Sequence, residues 1–301
     1  MLAVIGTVPD RNIPLIHGRV SLEDTHLKIA DRSILVERGT PALLASAVRA
    51  TEAVRGPEVY AFLIGDIGTG TGSRHLYKFL SKELHNFSFR TLAFHYLQPI
   101  AHWHDKVLSG IEKMHSKPLL IADAGYMYAA KMSGHAARYD LFTPDIGELS
   151  FLADEMAPHP FYTRGFILHN KDDVPDLIKR AYQHKNAASY LLVKGSTDYI
   201  ADRDGIIDTV DRPSFEAMEA IGGTGDSLTG MASVLCSMDY TPEKGMFLAA
   251  RANRWTGHYA GPSPSTPVLD LIEKIPQALS YVLKEPEVEY ADKGMEWKRN
   301  D

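Results

Sequence analysis

Short apolar segments of strand length alternate with helical segments along most of this chain. Val59 to Ile64, Pro118 to Ala122 and Tyr190 to Lys194 are such segments, and each is followed by a loop that contains glycine or aspartate. Apolar strands separated by helices favour a parallel sheet that is covered on both faces. The pattern therefore predicts an α/β fold with a mostly parallel central sheet.

Three other stretches complete the prediction. Leu2 to Ile5 reads as a further buried strand, and the polar residues after it, up to Arg38, read as a long excursion. Thr197 to Ala201 and Gly205 to Val210, separated by a turn sequence, predict a hairpin and hence an antiparallel edge on the sheet. Leu269 to Leu283 reads as a single closing helix.

Composition narrows the class of protein. The 301 residues are 45% hydrophobic with a net charge of -6 and no long basic run, which argues against a nucleic-acid partner. No apolar stretch is long enough to span a bilayer, so we expect no membrane partner and a cytoplasmic protein. The single cysteine, Cys236, reads as a buried structural thiol.

We expect one domain over residues 1–283 and a charged tail over residues 284–301. The aromatic segment Phe161 to His169 reads as core or as part of a ligand pocket.

A glycine-rich turn precedes the helical pattern that begins near Leu228. Gly222, Gly223, Thr224 and Gly225 form this turn, and Asp226 follows them directly. A helix start offers unpaired N–H groups and a positive dipole end, and glycines let an anion approach the backbone closely. We interpret these four residues as a phosphate site and Asp226 as a general base for phosphoryl transfer. The alternative is that Asp226 only caps the helix.

Four other loops follow predicted strands directly. They are Gly65 to Gly72, Asp123, Asp145 to Glu148, and Lys194 with Gly195. Ligands of parallel sheets bind at the carboxyl ends of the strands, so we expect these loops to cluster on one rim, facing the glycine turn. Lys194 is a candidate phosphate ligand or a solvated side chain. Asp145 and Glu148, three residues apart, could hold Mg²⁺ through water or form a helix cap.

The order of three motifs points to a known family. Thr143 to Glu148, then Val193 to Asp198, then Gly222 to Asp226 resemble the ribokinase-like superfamily, and within it the ADP- or ATP-dependent NAD(P)H-hydrate dehydratases. The loop Ile64 to Gly68 is similar to the Gly-Pro-Gly loop of that family, with Asp66 in place of proline. Asp145 and Ile146 stand where the family usually has His-Pro.

The resemblance implies a three-layer fold, a site for ATP or ADP with Mg²⁺, hydrated NAD(P)H as substrate, and a homo-oligomer. It predicts a metabolite-repair dehydratase. The altered loop at Asp145 keeps open a kinase acting on a sugar or hydroxymethyl heterocycle, and a nucleotide-binding protein without turnover is a third possibility. The implied roles are Gly222, Gly223, Thr224, Gly225 and Lys194 for phosphate; Gly195 and Ser196 for nucleotide; Gly65, Asp66, Gly68, Asp123 and Asp145 for the substrate side; Glu148 and Asp145 for metal; and Asp226 for catalysis.

Overall fold

A computed structural model describes residues 1–157 and 174–284. Its strands form a sheet in the order β11-β10-β9-β8-β7-β6-β1-β5-β2-β3-β4, with these bounds: β1 (Leu2–Val8), β2 (Ile16–Glu23), β3 (His26–Ile29), β4 (Arg32–Leu35), β5 (Val59–Gly65), β6 (Thr91–His95), β7 (Leu119–Ala122), β8 (Leu141–Phe142), β9 (Tyr190–Val193), β10 (Asp198–Asp202) and β11 (Gly205–Val210). Strands β6 to β9 pair in parallel, whereas β10 pairs with β9 and β3 pairs with both β2 and β4 in antiparallel fashion. The predicted α/β class and its antiparallel edge are confirmed.

Helices connect most of these strands. In chain order they are α1 (Thr40–Val54), α2 (Thr71–Glu83), α3 (Ala101–Ile111), α4 (Gly125–Met132), α5 (Ile146–Ala153), α6 (Val174–Gln183), α7 (Ala217–Ala220), α8 (Thr224–Leu235), α9 (Pro242–Ala260), α10 (Val268–Ile272) and α11 (Ile275–Val282). No helix of the described ranges is long and apolar enough to cross a membrane.

The chain divides into two compact units. Unit 1 contains Met1–Val4, Ile16–Phe62 and the described residues from Val210 onward; in it α8 packs against α1 and α9, and α11 packs against both of those helices. Unit 2 contains Ile5–Leu15 and the described part of Leu63–Thr209; in it α2 packs on α3 and α5 on α6. A single domain over residues 1–283 stays a prediction. The aromatic segment Phe161 to His169 and the tail beyond Lys284 lie outside the described residues.

Two details of the N-terminal region correct the sequence interpretation. The polar excursion before Arg38 contains the antiparallel strands β2 to β4. The interpretation was wrong because strands with one exposed face carry many polar residues: in β2, Ile16 and Leu22 are buried while polar side chains between them are exposed. The Thr40-Pro41 sequence predicts a helix that starts with Thr40 as its cap, but the N-cap residue of α1 is Gly39 and no side chain caps the helix.

The closing helix is also corrected. The stretch from Leu269 to Leu283 is two helices, α10 and α11, and Pro276 lies in the first turn of the second. Proline lacks an N–H and its ring clashes with the preceding turn, so the helix restarts there. Buried Cys236, 2% exposed, confirms the expected structural thiol.

Candidate active site

The glycine-rich turn of unit 1 leads directly into α8. Gly223 is the N-cap residue, and its φ of 109° is a left-handed conformation that glycine adopts without strain. A Cβ at this position would also lie 3.0 Å from the Val268 side chain. The Thr224 hydroxyl donates to the carbonyl oxygens of Met218 at 3.1 Å and Ile221 at 3.2 Å. These two hydrogen bonds hold the segment before the glycine-rich turn against the start of α8.

The backbone of the turn remains open to a ligand. Within the described residues, the N–H groups of Gly223, Thr224 and Gly225 donate no hydrogen bond, and the residues are half-exposed. Such N–H groups at a helix start can hold an anion. The arrangement is compatible with the predicted phosphate role of these residues and of the exposed Gly222, which stays a prediction.

Asp226 lies in the first turn of α8, and its carboxylate bonds to a different segment. Oδ2 accepts a hydrogen bond of 2.7 Å from the N–H of Gly39, and no side chain caps α8. Asp226 therefore does not serve as the N-cap that the alternative interpretation proposed. Sequence reasoning missed Gly39, although the Gly-Thr-Pro sequence before α1 was a signal for a tight backbone approach.

Arg38 is a second neighbour of the turn that the sequence did not indicate. A Cβ built on Gly222 would lie 3.4 Å from Cδ of Arg38, so the aliphatic part of this side chain covers the turn. Arginine carries a permanent charge and presents a planar fork of donors that suits phosphate. Arg38 consequently joins the candidate residues of unit 1.

In unit 2, Asp123 and Lys194 form a close ion pair. The Lys194 ammonium donates to both carboxylate oxygens of Asp123 at 2.9 Å. Asp123 is 1% exposed, and the Ala124 N–H also donates to it at 2.8 Å. Buried His95, another residue that sequence reasoning missed, places Nε2 3.8 Å from Asp123 Oδ2. The strand ends of β6, β7 and β9 meet here, as the parallel sheet predicts.

The loop before α5 joins the same cluster. Asp145 Oδ1 accepts from the Glu148 N–H at 2.7 Å, and Glu148 Oε2 accepts from the Asp145 N–H at 2.8 Å, which is a capping box. The Lys194 N–H donates to the Pro144 carbonyl oxygen, and Asp145 forms a parallel bridge with Lys194. The structure thus brings Asp123, Asp145, Glu148 and Lys194 together on one rim.

The charges of this rim affect the protonation of Glu148. Removal from solvent and the nearby carboxylates of Asp123 and Asp145 raise the pKa of Glu148, and the Lys194 ammonium opposes this rise. A site with this excess of carboxylate oxygens is suited to a divalent cation, because Mg²⁺ takes oxygen ligands. The metal role of Asp145 and Glu148 stays a prediction.

The Asp66 carboxylate accepts hydrogen bonds from the loop that follows β5. Asp66 is 8% exposed, and its carboxylate accepts from the N–H groups of Gly68 and Gly70 at 3.0 Å, and from the N–H and hydroxyl of Ser73 at 2.8 and 2.9 Å. The loop that contains Gly65 and Gly68 is therefore held by an internal carboxylate. Its predicted place on the substrate side is untested.

The predicted nucleotide residues Gly195 and Ser196 are exposed at the end of β9. The Gly195 N–H donates to Asp198 Oδ1 at 3.1 Å, which shapes the turn into β10. Their nucleotide role stays a prediction, as does the expectation that the glycine turn faces the rim of unit 2.

Comparisons with known proteins show the family to which the chain belongs. A family model described as NAD(P)H-hydrate dehydratase matches residues 101–277. Uncharacterized protein MJ1337 of Methanocaldococcus jannaschii is 42% identical over 228 residues, which are 75% of this chain and 94% of that protein. The bifunctional NAD(P)H-hydrate repair enzyme Nnr of Hyperthermus butylicus is 34% identical over 105 residues, 34% of this chain and 19% of that enzyme.

The fold has matches among solved structures. ADP/ATP-dependent NAD(P)H-hydrate dehydratase from Bacillus subtilis, co-crystallized with ATP/Mg2+, has a TM-score of 0.54 at 16% identity over 93% of this chain and 89% of that one. At this identity the likeness shows the fold, and the matched family model covers more than half of the sequence. The chain therefore has a ribokinase-like fold and belongs to the carbohydrate-kinase-like family of NAD(P)H-hydrate dehydratases.

Proposed function

We propose that this enzyme is an ADP- or ATP-dependent dehydratase that acts on hydrated NADH or NADPH. The observation that carries the proposal is the position of Asp226: its carboxylate is held by the Gly39 N–H, and the residue follows directly after the open backbone N–H groups of Gly223, Thr224 and Gly225. A positioned base beside an anion site is what phosphoryl transfer to a hydroxyl requires.

The chemistry then follows in two steps. Asp226 accepts the proton of the hydroxyl on the hydrated nicotinamide ring while this oxygen attacks the terminal phosphorus of the nucleotide; the bridging P–O bond breaks, and ADP leaves when the donor is ATP, or AMP when it is ADP. The ring C–O bond then breaks, inorganic phosphate leaves, and loss of a proton from the neighbouring ring carbon restores the double bond. The N–H groups of Gly223, Thr224 and Gly225 stabilise the charge on the phosphate oxygens.

Positive charge for this reaction has candidate sources in each unit. In unit 1, Arg38 covers the glycine turn, and its guanidinium suits a phosphate oxygen pair. In unit 2, Asp123 holds the Lys194 ammonium in place, so this cation is preorganised for an anionic ligand. We expect Lys194 to bind phosphate and the exposed backbone of Gly195 and Ser196 to contact the nucleotide.

Magnesium fits the rim of unit 2. In the capping box one oxygen of Asp145 and one of Glu148 accept a backbone N–H, and carboxylates have further acceptor capacity. A bound divalent cation would favour the ionised form of Glu148 and so oppose the burial and the carboxylate repulsion that raise its pKa. When bound, the ion neutralises charge on nucleotide phosphates. Homo-oligomeric assembly, which the resemblance implies, also stays a prediction.

The test uses the purified full chain with Mg²⁺, ATP or ADP, and hydrated NADH. We expect the absorbance of reduced nicotinamide to return with the wild type. Asp226→Asn retains the shape of the side chain but not the base, so it should lose about 10²–10⁴-fold in rate while still binding nucleotide. The matched control is Asp31→Asn, an exposed aspartate of the β3–β4 turn, which should leave the rate unchanged.

Each other outcome has a defined meaning. A phosphorylated product from a panel of sugars and hydroxymethyl heterocycles, without recovery of reduced nicotinamide, would favour the kinase alternative that the altered Asp145 loop suggested. Nucleotide binding without any turnover would favour a binding protein. An Asp226→Asn variant with the wild-type rate would remove Asp226 from the mechanism.

A further inference from the structure

A groove of 680 Å³ lies in unit 2, before the region that the family model matches. Its walls are residues 11 and 13–15, the end of β5 with the loop after it, and one side of α2. All of these residues precede residue 101, where the family match begins. The groove therefore lies outside the matched range, and it combines residues of the N-terminal region that departs from the family pattern with the loop that resembles the family's Gly-Pro-Gly loop.

Close backbone contacts fix the shape of the groove. The Gly65 N–H donates to the Ile13 carbonyl oxygen at 2.9 Å, and a Cβ at Gly65 would collide with the Asp10 carbonyl oxygen. A Cβ at Gly72 would collide in the same way with the carbonyl oxygen of Gly65. Only glycine permits these two approaches, so residues 10–13, β5 and α2 are held against each other. A groove built in this way is formed before a ligand arrives.

The floor of the groove is apolar and partly open to solvent. Ile13, Leu15 and Phe79 line it and are partly exposed, and buried Ile64 closes its base. Ile67 at its edge is 46% exposed. Contiguous apolar side chains of this kind gain free energy when a ligand covers them.

Cations surround this floor. Arg11, Lys78 and Lys82 line the groove, with Lys78 and Lys82 one helical turn apart on α2. Across residues 1–157 and 174–284, none of these three side chains forms an ion pair. The lining carries these three cations against the two carboxylates of Asp66 and Glu83, which is a small positive excess in a chain whose net charge is -6. Its complement is an anion.

Two carboxylates also line the groove, and both accept hydrogen bonds from neutral donors. Asp66 lines it but uses its oxygens on Gly68, Gly70 and Ser73, and Glu83 accepts from the Asn86 amide at 3.1 Å. Asp66 also occupies N–H groups at the start of α2. Any anion in the groove therefore depends on the side-chain cations rather than on the helix terminus.

We propose that this groove binds an amphipathic anion: a small molecule with a flat or branched apolar body and a phosphate, sulfonate or carboxylate group. Two sources offer this chemistry. Gly65 ends β5, and Asp123 follows the end of β7, which is three strands away in the sheet. Adjacent strands are about 4.8 Å apart, so about 14 Å separates these two strand ends. The first source, which rests on the proposed function, is the remote half of an extended dinucleotide substrate; the second is a separate small molecule.

The test measures the fluorescence of 1-anilinonaphthalene-8-sulfonate, an aromatic anion, during titration with the folded full chain. The variant Lys78→Glu/Lys82→Glu reverses two exposed charges on α2 and should raise the Kd by about tenfold or more, since each charge-assisted contact is worth about that factor. The control Lys113→Glu/Lys179→Glu makes the same change in net charge at exposed lysines elsewhere in unit 2 and should leave the Kd unchanged.

Two further measurements complete the test. Ile67→Asn, an exposed change, should weaken probe binding through loss of apolar contact. Displacement of the probe by NADP⁺ would assign the groove to the dinucleotide, and failure of NADP⁺ to displace it would assign the groove to a separate molecule. Both results depend on binding alone and hold whether or not the enzyme dehydrates NAD(P)H. Equal Kd values for Lys78→Glu/Lys82→Glu and its control would overturn the proposal.

Discussion

Removal of the Asp66 carboxylate provides a direct test of how the loop after β5 is held. In Asp66→Ala, the N–H groups of Gly68, Gly70 and Ser73 lose their acceptor, as does the Ser73 hydroxyl. Gly68 is exposed, so water can replace the carboxylate there. Gly70 and Ser73 are buried, and their N–H groups would be left without a partner.

The magnitude follows from these two buried donors. An unsatisfied buried N–H costs about 1–3 kcal/mol, so two cost about 2–6 kcal/mol, and relaxation of the glycine loop favours the lower half. We expect Asp66→Ala to lose about 3 kcal/mol in the free energy of unfolding. Asp66→Asn retains one oxygen for Gly68 and Gly70 but turns its amide toward Ser73, and should lose about half as much.

The pH dependence supplies an independent check. Burial alone would raise the pKa of Asp66, but the hydrogen bonds from Ser73, Gly70 and Gly68 outweigh it and hold this pKa below the ordinary value of 3.8. A lowered pKa in the folded state means that the stabilisation is fully present above pH 3.8 and is lost as the pH falls through the folded-state value. The difference between wild type and Asp66→Ala should therefore shrink on acidification.

Urea denaturation followed by circular dichroism measures both effects. The midpoint should fall for Asp66→Ala at pH 7, and its difference from the wild-type midpoint should be smaller at strongly acidic pH. A wild-type midpoint for Asp66→Ala at pH 7, or a difference that persists unchanged at acidic pH, would refute the role assigned to this carboxylate.

Three other substitutions test the packing around the candidate sites. Gly230→Ala places a methyl group against the Leu43 carbonyl oxygen where α8 crosses α1, so its free energy of unfolding should fall by about 1–3 kcal/mol in urea titrations; full stability would contradict the close crossing. Lys194→Met leaves the Asp123 carboxylate buried without its cation and should lose about 3–5 kcal/mol; adding Asp123→Asn should recover part of this, and no recovery would argue against the ion pair. Burial lowers the pKa of Lys131 to about 8, so the folded state releases its proton before the unfolded state does, and wild type should gain stability relative to Lys131→Met as the pH rises from 8 to 10 in thermal melts; a constant difference would contradict that shift.

Local patterns in the sequence were sufficient for the central strands and for the hairpin of β10 and β11. Val59–Gly65 and Tyr190–Val193 are short apolar runs bounded by turn residues. A parallel strand that is buried on both faces needs apolar residues at nearly every position, so such a run indicates it directly. The same reasoning failed for β2 to β4. An antiparallel strand with one solvent-exposed face contains many polar residues, and its sequence resembles that of a loop when its neighbouring strands are unknown. Sequence reasoning also missed α4, which begins directly after the Asp123 loop.

In the candidate site, too, local sequence predicts some features and only the structure shows the others. Residue type and spacing were enough to select Asp226, Lys194 and the glycine turn, because a flexible turn before a helix and a carboxylate beside it have a recognisable local signature. Whether a carboxylate caps its own helix or bonds elsewhere is a matter of long-range contact. Asp145 is satisfied by Glu148 three residues away, whereas Asp226 accepts from the N–H of Gly39, 187 residues away.

By itself, the sequence determined the α/β class, the buried central strands, and the residue types available for phosphate chemistry, since these depend on local periodicity and turn composition. Only the tertiary structure decided which backbone N–H holds Asp226, because its partner Gly39 is 187 residues away. It alone also placed Arg11 beside Lys78 and Lys82. Contacts between distant segments depend on how strands are ordered in the sheet, and no local pattern encodes that order.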